Sequence, residues 1–168
     1  DSVEKAILLF GIEDGMLTAA LEVRRQIGPV RIDPNRSSKP TVSLCMIVKN
    51  EEQYLPHCLD NMKPLVDEMI VVDTGSDDAT RDIAEIFGAK VFDFEWDDDF
   101  AAARNFSLEQ ASGGWILVMD ADEVISPRDH KRMIELLNQA ASETSSAYLM
   151  TTRNYTDRHD DVDFVKNS

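Results

Sequence analysis

Two carboxylates one residue apart, Asp120 and Asp122, follow directly on the apolar run 115–119. So placed, they can share a divalent cation. Magnesium and manganese suit the pair, because such hard ions take oxygen ligands, often only one or two from protein, and complete their shell with water and substrate phosphate. A two-acid pattern is short, and alone it reads as well as an acidic turn after a strand. Its company gives it weight. Asn50 and Glu51 follow the apolar run Val42–Val48, and Asp73 closes the run 69–72. Each of these polar residues stands at the C-terminal end of a strand-like segment. In an open parallel sheet that edge gathers the turns and the helix N-termini, and ligands bind there.

The whole chain is acidic, with 17 Lys plus Arg against 32 Asp plus Glu and a formal net charge of −15 over 168 residues. That balance opposes binding to nucleic acid or to anionic membrane surfaces. A phosphorylated substrate would need a bound cation or a local arginine to enter such a site. The apolar stretches fall far short of the roughly 20 residues of a spanning helix, and no signal peptide is apparent, so a soluble, cytoplasmic chain without membrane insertion is expected. Cys45, in an apolar run, and Cys58, on a predicted helix, read as reduced packing residues.

The elements that must position these acids alternate along the chain. Segments 3–10 and 16–27 carry helical periodicity broken by Gly11, Gly15 and Gly28-Pro29, which predicts a helical hairpin. The stretch 34–40, polar with proline at both ends, reads as a linker, so residues 1–40 are taken as hairpin and linker, the end of an upstream domain. From residue 41 the pattern becomes strand, helix, strand: strands at 42–48, 69–72, 90–94 and 115–119, with a fifth at 147–152. The fully apolar fourth strand is expected at the centre of the sheet. Between them, Leu55, Leu59 and Met62 mark one helix face. Thr80, Ile83, Ala84 and Phe87 mark a second, with Ser76 or Asp77 as cap. Phe100, Ala103, Ser107 and Ala111 mark a third. Ser126-Pro127-Arg128-Asp129 opens a fourth helix with buried positions Met133, Leu136, Leu137 and Ala140. The run Asp97 to Asp99 reads as helix-dipole stabilisation, with Asp98 or Asp99 as cap. Trp96 and Trp115 read as packing residues, and His57, His130 and His159 show no metal-ligand spacing.

Four segments carry a resemblance in order and spacing: VSLCMIVKNEE at 42–52, IVVDTGSDDAT at 70–80, Ala103-Arg104-Asn105, and WILVMDADE at 115–123. Together they resemble the family 2 glycosyltransferases. The resemblance implies an α/β, Rossmann-like GT-A nucleotide-diphospho-sugar transferase fold, with a mostly parallel central sheet and helices on both faces, truncated at the C-terminus. Residues 41–168 would form its donor-binding part. It implies that the backbone at Val48, with Asn50 and Glu51, holds the nucleoside. Asp73 would accept a hydrogen bond from the base, uracil being commonest, and Arg104 would contact the nucleotide. Asp120 would face the ribose or a metal-bound water, and Asp122 would ligate Mn2+ or Mg2+.

The implied reaction moves a sugar from a nucleoside diphosphate, a UDP-sugar first among candidates, to an acceptor hydroxyl with inversion. The acceptor is left open among glycan, lipid-linked and protein hydroxyls. In this family the general base lies well beyond the metal segment, so it is expected past Ser168, and Asp157, Asp160, Asp161 and Asp163 are not assigned to it. Donor binding without efficient transfer is the resulting expectation for this chain. Two rival readings remain. The strand followed by Asp120-Ala121-Asp122-Glu123 also resembles the first motif of haloacid dehalogenase-type phosphatases, with Asp120 as nucleophile, and the fold could serve as a non-catalytic nucleotide-sugar-binding module. The first leaves Asn50-Glu51 and the Asp73 segment without a role.

Overall fold

The computed structural model describes residues 2–10, 14–30, 40–140 and 146–151. The expected linker 34–40 falls almost wholly outside them, as do Thr152 and the acids of the tail. Helices α1 (Ser2–Phe10) and α2 (Asp14–Ile27) precede β1 (Val42–Val48), α3 (Leu55–Met62) and β2 (Glu68–Asp73). Then come α4 (Thr80–Ile86), β3 (Lys90–Asp93), α5 (Phe100–Glu109), β4 (Trp115–Val118) and α6 (Pro127–Ala140). The four strands form one parallel sheet in the order β3-β2-β1-β4.

Period-two alternation sorts the two faces. Val42, Leu44, Met46 and Val48 of β1, with Met69 and Val71 of β2, face α3 and α4, which contribute Leu55, Leu59, Met62, Ile83, Ala84 and Phe87. Cys45, Ile70 and Val72 face the other way, under α5, where Phe106 closes against Phe92 and Phe94. Helices therefore cover both faces, as the sequence implies. On the first face Ile7, Ala20 and Leu21 of the N-terminal helices join the same cluster. Glu4, 4% exposed, anchors them there by accepting from Lys63 Nζ at 2.6 Å and Arg24 Nη2 at 2.9 Å. Arg24 Nε also donates to the Ile86 carbonyl at 2.8 Å, and so ties α2 to α4.

The N-terminal ends of the strands, away from the acid-bearing edge, are locked around Glu68, which is fully buried. Its carboxylate accepts from Ser43 Oγ at 2.5 Å, Lys90 Nζ at 2.6 Å, Ser112 N at 2.6 Å and Ser112 Oγ at 2.8 Å. Burial by itself would raise this carboxyl, but the donors outweigh it and hold the pKa at about 2. Ser43 Oγ in turn accepts from Gly113 N at 2.8 Å. A side chain at Gly113 would put its Cβ 2.5 Å from that oxygen, so the approach of the β4 entry to β1 requires glycine.

Several sequence expectations are corrected. β4 lies at the sheet edge instead of the centre: it pairs with β1, and Ile116 and Val118 remain 45% and 44% exposed. Its apolar character does reflect burial on one side, where Leu117 joins the core, but α5 packs over β1 and β2 and leaves the other side of β4 uncovered. Residues 147–151 form no strand. Tyr148, Leu149 and Met150 are exposed, and β-propensity without a neighbouring ladder does not make one, although the Tyr148 ring does meet Trp115 at 5.8 Å. Neither Ser76 nor Asp77 caps α4. Its N-cap is Ala79, and Asp78 Oδ1 accepts from Thr80 N at 2.9 Å. Phe100, expected on the buried face of α5, is 71% exposed, while Ala103 and Ser107 are buried as expected. Asp99 caps that helix by accepting from Ala102 N at 3.0 Å, and Ser126 caps α6 by accepting from Asp129 N at 3.2 Å.

Candidate functional site

All strands run parallel, so their C-terminal ends share one edge. Val48 stands opposite Asp73, and Asp73 opposite Asp93. β4 is staggered slightly: Val118 faces Cys45, and Met119 N donates to the Cys45 carbonyl at 3.4 Å, so Asp120 leaves the sheet beside the last residues of β1. The polar residues picked from the sequence thus come together on a single rim.

Two turns at this rim are stitched to each other. Asn50 adopts φ 56°, in the left-handed region that asparagine tolerates better than most residues. Its backbone N–H donates to Ser76 Oγ at 2.9 Å, and its Oδ1 accepts from Asp77 N at 2.8 Å. Glu51 N donates to Thr80 Oγ1 at 2.7 Å, Glu52 N to Asp78 Oδ2 at 3.2 Å, and Glu52 Oε2 accepts from Ala79 N at 3.0 Å. The Val48 carbonyl accepts from both the backbone N–H and the hydroxyl of Thr74. The carboxylate of Asp73, 3% exposed, accepts from Gly75 N at 3.2 Å, Ser76 N at 3.1 Å and Ser76 Oγ, while Arg81 bridges it to Asp93. Asp73 and Asn50 therefore shape a rigid floor. Sequence reasoning gave Asp78 and Arg81 no role and read Ser76 and Thr80 only as helix cap and helix face. The Ser/Thr/Asp spacing in 74–80 is a turn signal that could have found them.

Across the rim, Arg104 of α5 reaches Asp120: Nη2 donates to Oδ1 at 3.0 Å. The other terminal nitrogen, Nη1, is buried and has no hydrogen-bond partner among the described residues. Asp120 N donates to Glu123 Oε2 at 3.0 Å, which closes the turn that carries Asp122 outward to solvent. The acids feel one another. Glu51 has its pKa raised, first by burial and then by the charges of Asp122, Asp78 and Asp120. The buried Cys58 thiol is pushed up to about 12 by burial and by Glu123, Asp122 and Asp120. Carboxylates crowded this way favour a cation between them.

Among the described residues no three His, Cys, Asp or Glu side chains close on a single point to cage an ion. The donor set fits a different kind of site. An exposed pair such as Asp120 and Asp122 matches an ion that keeps most of its shell for water and phosphate, as magnesium does. Both cysteines are buried and free, with the Cys45 thiol pushed up to about 11 by burial and by Glu68, so neither is a reactive thiolate.

A parallel sheet covered on both faces by helices matches the fold of the GT-A glycosyltransferases. A mannosyltransferase from Pyrobaculum calidifontis, solved with GDP-Man and Mn2+, superimposes with a TM-score of 0.52 at 21% identity, over 85% of this chain and 44% of its own. S. aureus TarS (residues 1–349) does so with a TM-score of 0.53 at 26% identity, over 60% of this chain and 33% of its own. The profile of the Glycosyl transferase family 2 matches residues 43–159. The chain belongs to that family. Among curated proteins it is 57% identical over 82 residues to a TPR repeat-containing protein of Synechococcus elongatus, covering 49% of this chain and 20% of that protein. It is 34% identical over 103 residues to the SPbeta prophage-derived glycosyltransferase SunS of Bacillus subtilis, covering 60% of this chain and 24% of SunS. The chain thus spans a quarter or less of the length of these relatives. No helix among the described residues is long and apolar enough to cross a membrane.

Proposed function

We propose that this chain is the donor-binding part of a glycosyltransferase that takes a sugar from a nucleoside diphosphate, with a divalent cation, and passes it to an acceptor hydroxyl with inversion. The reading is carried by one observation: Asp120 and Asp122 share one turn at the rim where Arg104 reaches Asp120 at 3.0 Å with a buried Nη1 that no described residue partners, beside Glu51, whose carboxyl is raised first by burial and then by Asp122, Asp78 and Asp120. Such a rim repels a bare diphosphate and welcomes a cation-bound one.

The residues divide the work. Val48, Asn50, Glu51 and Asp73 form the nucleoside floor, with a uracil base at the Asp73 end. Arg104 and Asp120 orient the ribose and the diphosphate. Asp122, with Asp120, would hold Mn2+ or Mg2+, which when bound neutralises charge on the departing diphosphate. In the transfer the acceptor oxygen bonds to the anomeric carbon as the bond from that carbon to the diphosphate oxygen breaks, and the acceptor proton goes to a carboxylate base. We assign no residue of this chain as that base. The phosphatase reading of Asp120 is not favoured, since family membership extends over the Asn50 and Asp73 segments that it leaves without a role.

Calorimetric titration with UDP, GDP, ADP and CDP, each with and without Mn2+, tests this. One nucleoside diphosphate should bind at least tenfold more tightly with the metal than without it. Equal, metal-indifferent binding of all four, or none, would remove the reading.

A further inference from the structure

Phe100 opens α5 with 71% of its surface exposed, although the helical period aligns it with buried Ala103 and Ser107. Its position is held by several contacts. The Trp96 indole meets it edge-on, ring centroids 4.6 Å apart and planes at 74°. The indole N–H donates to Asp98 Oδ1 at 3.0 Å, and Asp98 itself sits at φ 63°, in the left-handed region that aspartate, like asparagine, enters more readily than most residues. Asp99 then caps the helix. A cap and an indole hydrogen bond thus combine to hold Phe100 in the open against a half-buried Trp96. The pair is not needed to close the core on this face, where Phe92, Phe94 and Phe106 already meet.

The location of the pair narrows its use. Phe100 and Arg104 lie four residues apart on α5, so they share a face with one turn, about 6 Å, between them. Arg104 reaches Asp120. The segment leading to Phe100 springs from β3, whose last residue, Asp93, is in register with Asp73, and α5 packs over β1 and β2. Phe100 therefore stands at the rim, one turn before Arg104, at the opening of the helix that covers β1 and β2. In the reading proposed above, a diphosphate held at Asp120 and Asp122 extends its nucleoside over the floor of Val48, Asn50, Glu51 and Asp73, at the ends of the strands that α5 covers.

We propose that Phe100, braced by Trp96, is the stacking surface for the nucleobase of the donor, an inference that rests on the nucleotide-sugar reading above. Every base has a π-face, so this contact supplies affinity and leaves the choice of base to contacts with the base edge elsewhere on the floor.

The test titrates wild type, Phe100→Ala and Phe100→Tyr with UDP, GDP and pyrophosphate, all with Mn2+. Phe100→Ala should weaken the better-bound nucleoside diphosphate about tenfold, equivalent to about 1.4 kcal/mol, and leave pyrophosphate unchanged. Phe100→Tyr should restore nucleotide affinity. In a Trp115→Phe background the remaining Trp96 emission should be quenched by nucleotide and not by pyrophosphate. Unchanged nucleotide affinity in Phe100→Ala, or an equal loss for nucleotide and pyrophosphate, would overturn the stacking role alone. A wild type that binds none of the three overturns it together with the reading beneath it.

Discussion

Glu68→Gln should destabilise the fold by about 3 kcal/mol at pH 7. The carboxyl sits at a pKa of about 2 against an ordinary 4.5. A tenfold change in an acid's ionisation constant is worth about 1.4 kcal/mol, so the ionised form stabilises the folded state by about 3 kcal/mol wherever it is fully charged in both states. Glutamine keeps one oxygen for Ser43 and Ser112 but turns an N–H toward Lys90 Nζ, which now lies 2.6 Å from a carboxylate oxygen. The folded pKa lies below the unfolded one. The stabilisation is therefore complete above about pH 5 and is lost as pH falls through 4.5 toward 2. Urea unfolding of both proteins from pH 7 to pH 3 checks this: the gap should be about 3 kcal/mol at neutrality and about half that at pH 3. A gap under about 0.5 kcal/mol at pH 7, or one that does not shrink in acid, would refute the claim that donors from β1, β3 and the 112–114 turn hold this carboxylate.

Glu4→Ala leaves Lys63 and Arg24 facing one another at a mostly buried site, so α1 and α2 should loosen by about 2 kcal/mol, read as faster amide exchange there than in β1. Gly113→Ala drives a Cβ against Ser43 and should cost about 2 kcal/mol in thermal or urea unfolding. Cys45 and Cys58, with pKa values of about 11 and about 12, should resist an alkylating thiol reagent at pH 8 in the folded protein and react promptly in denaturant.

The strands were legible because β1 and β2 are buried on both faces and so read as unbroken apolar runs. The same signal misplaced β4, since an apolar run records which side chains could be covered, and only the packing of α5 over β1 and β2 decides which are. Segment 147–151 failed for a related reason: Tyr148, Leu149 and Met150 have the propensity but lack a ladder to join. The site residues stood out because Asn50, Asp73 and Asp120 each end an apolar run, and a parallel sheet sends every such end to one edge. What joins them was not legible. The Asn50–Asp77, Thr80–Glu51 and Arg104–Asp120 bonds link positions from 16 to 29 residues apart, and local pattern carries no record of such pairings. Glu68 was invisible for the same reason, its donors coming from three separate segments.

The central claim is that the acids of this rim grip a cation-bound diphosphate. It is tested most directly by titrating UDP and GDP into wild type and Asp122→Ala, each with and without Mn2+. The wild type should show a metal-dependent gain in nucleotide affinity, and the variant should lose that gain while its unfolding curve stays on that of the wild type. A variant that keeps the full metal-dependent gain would contradict the account.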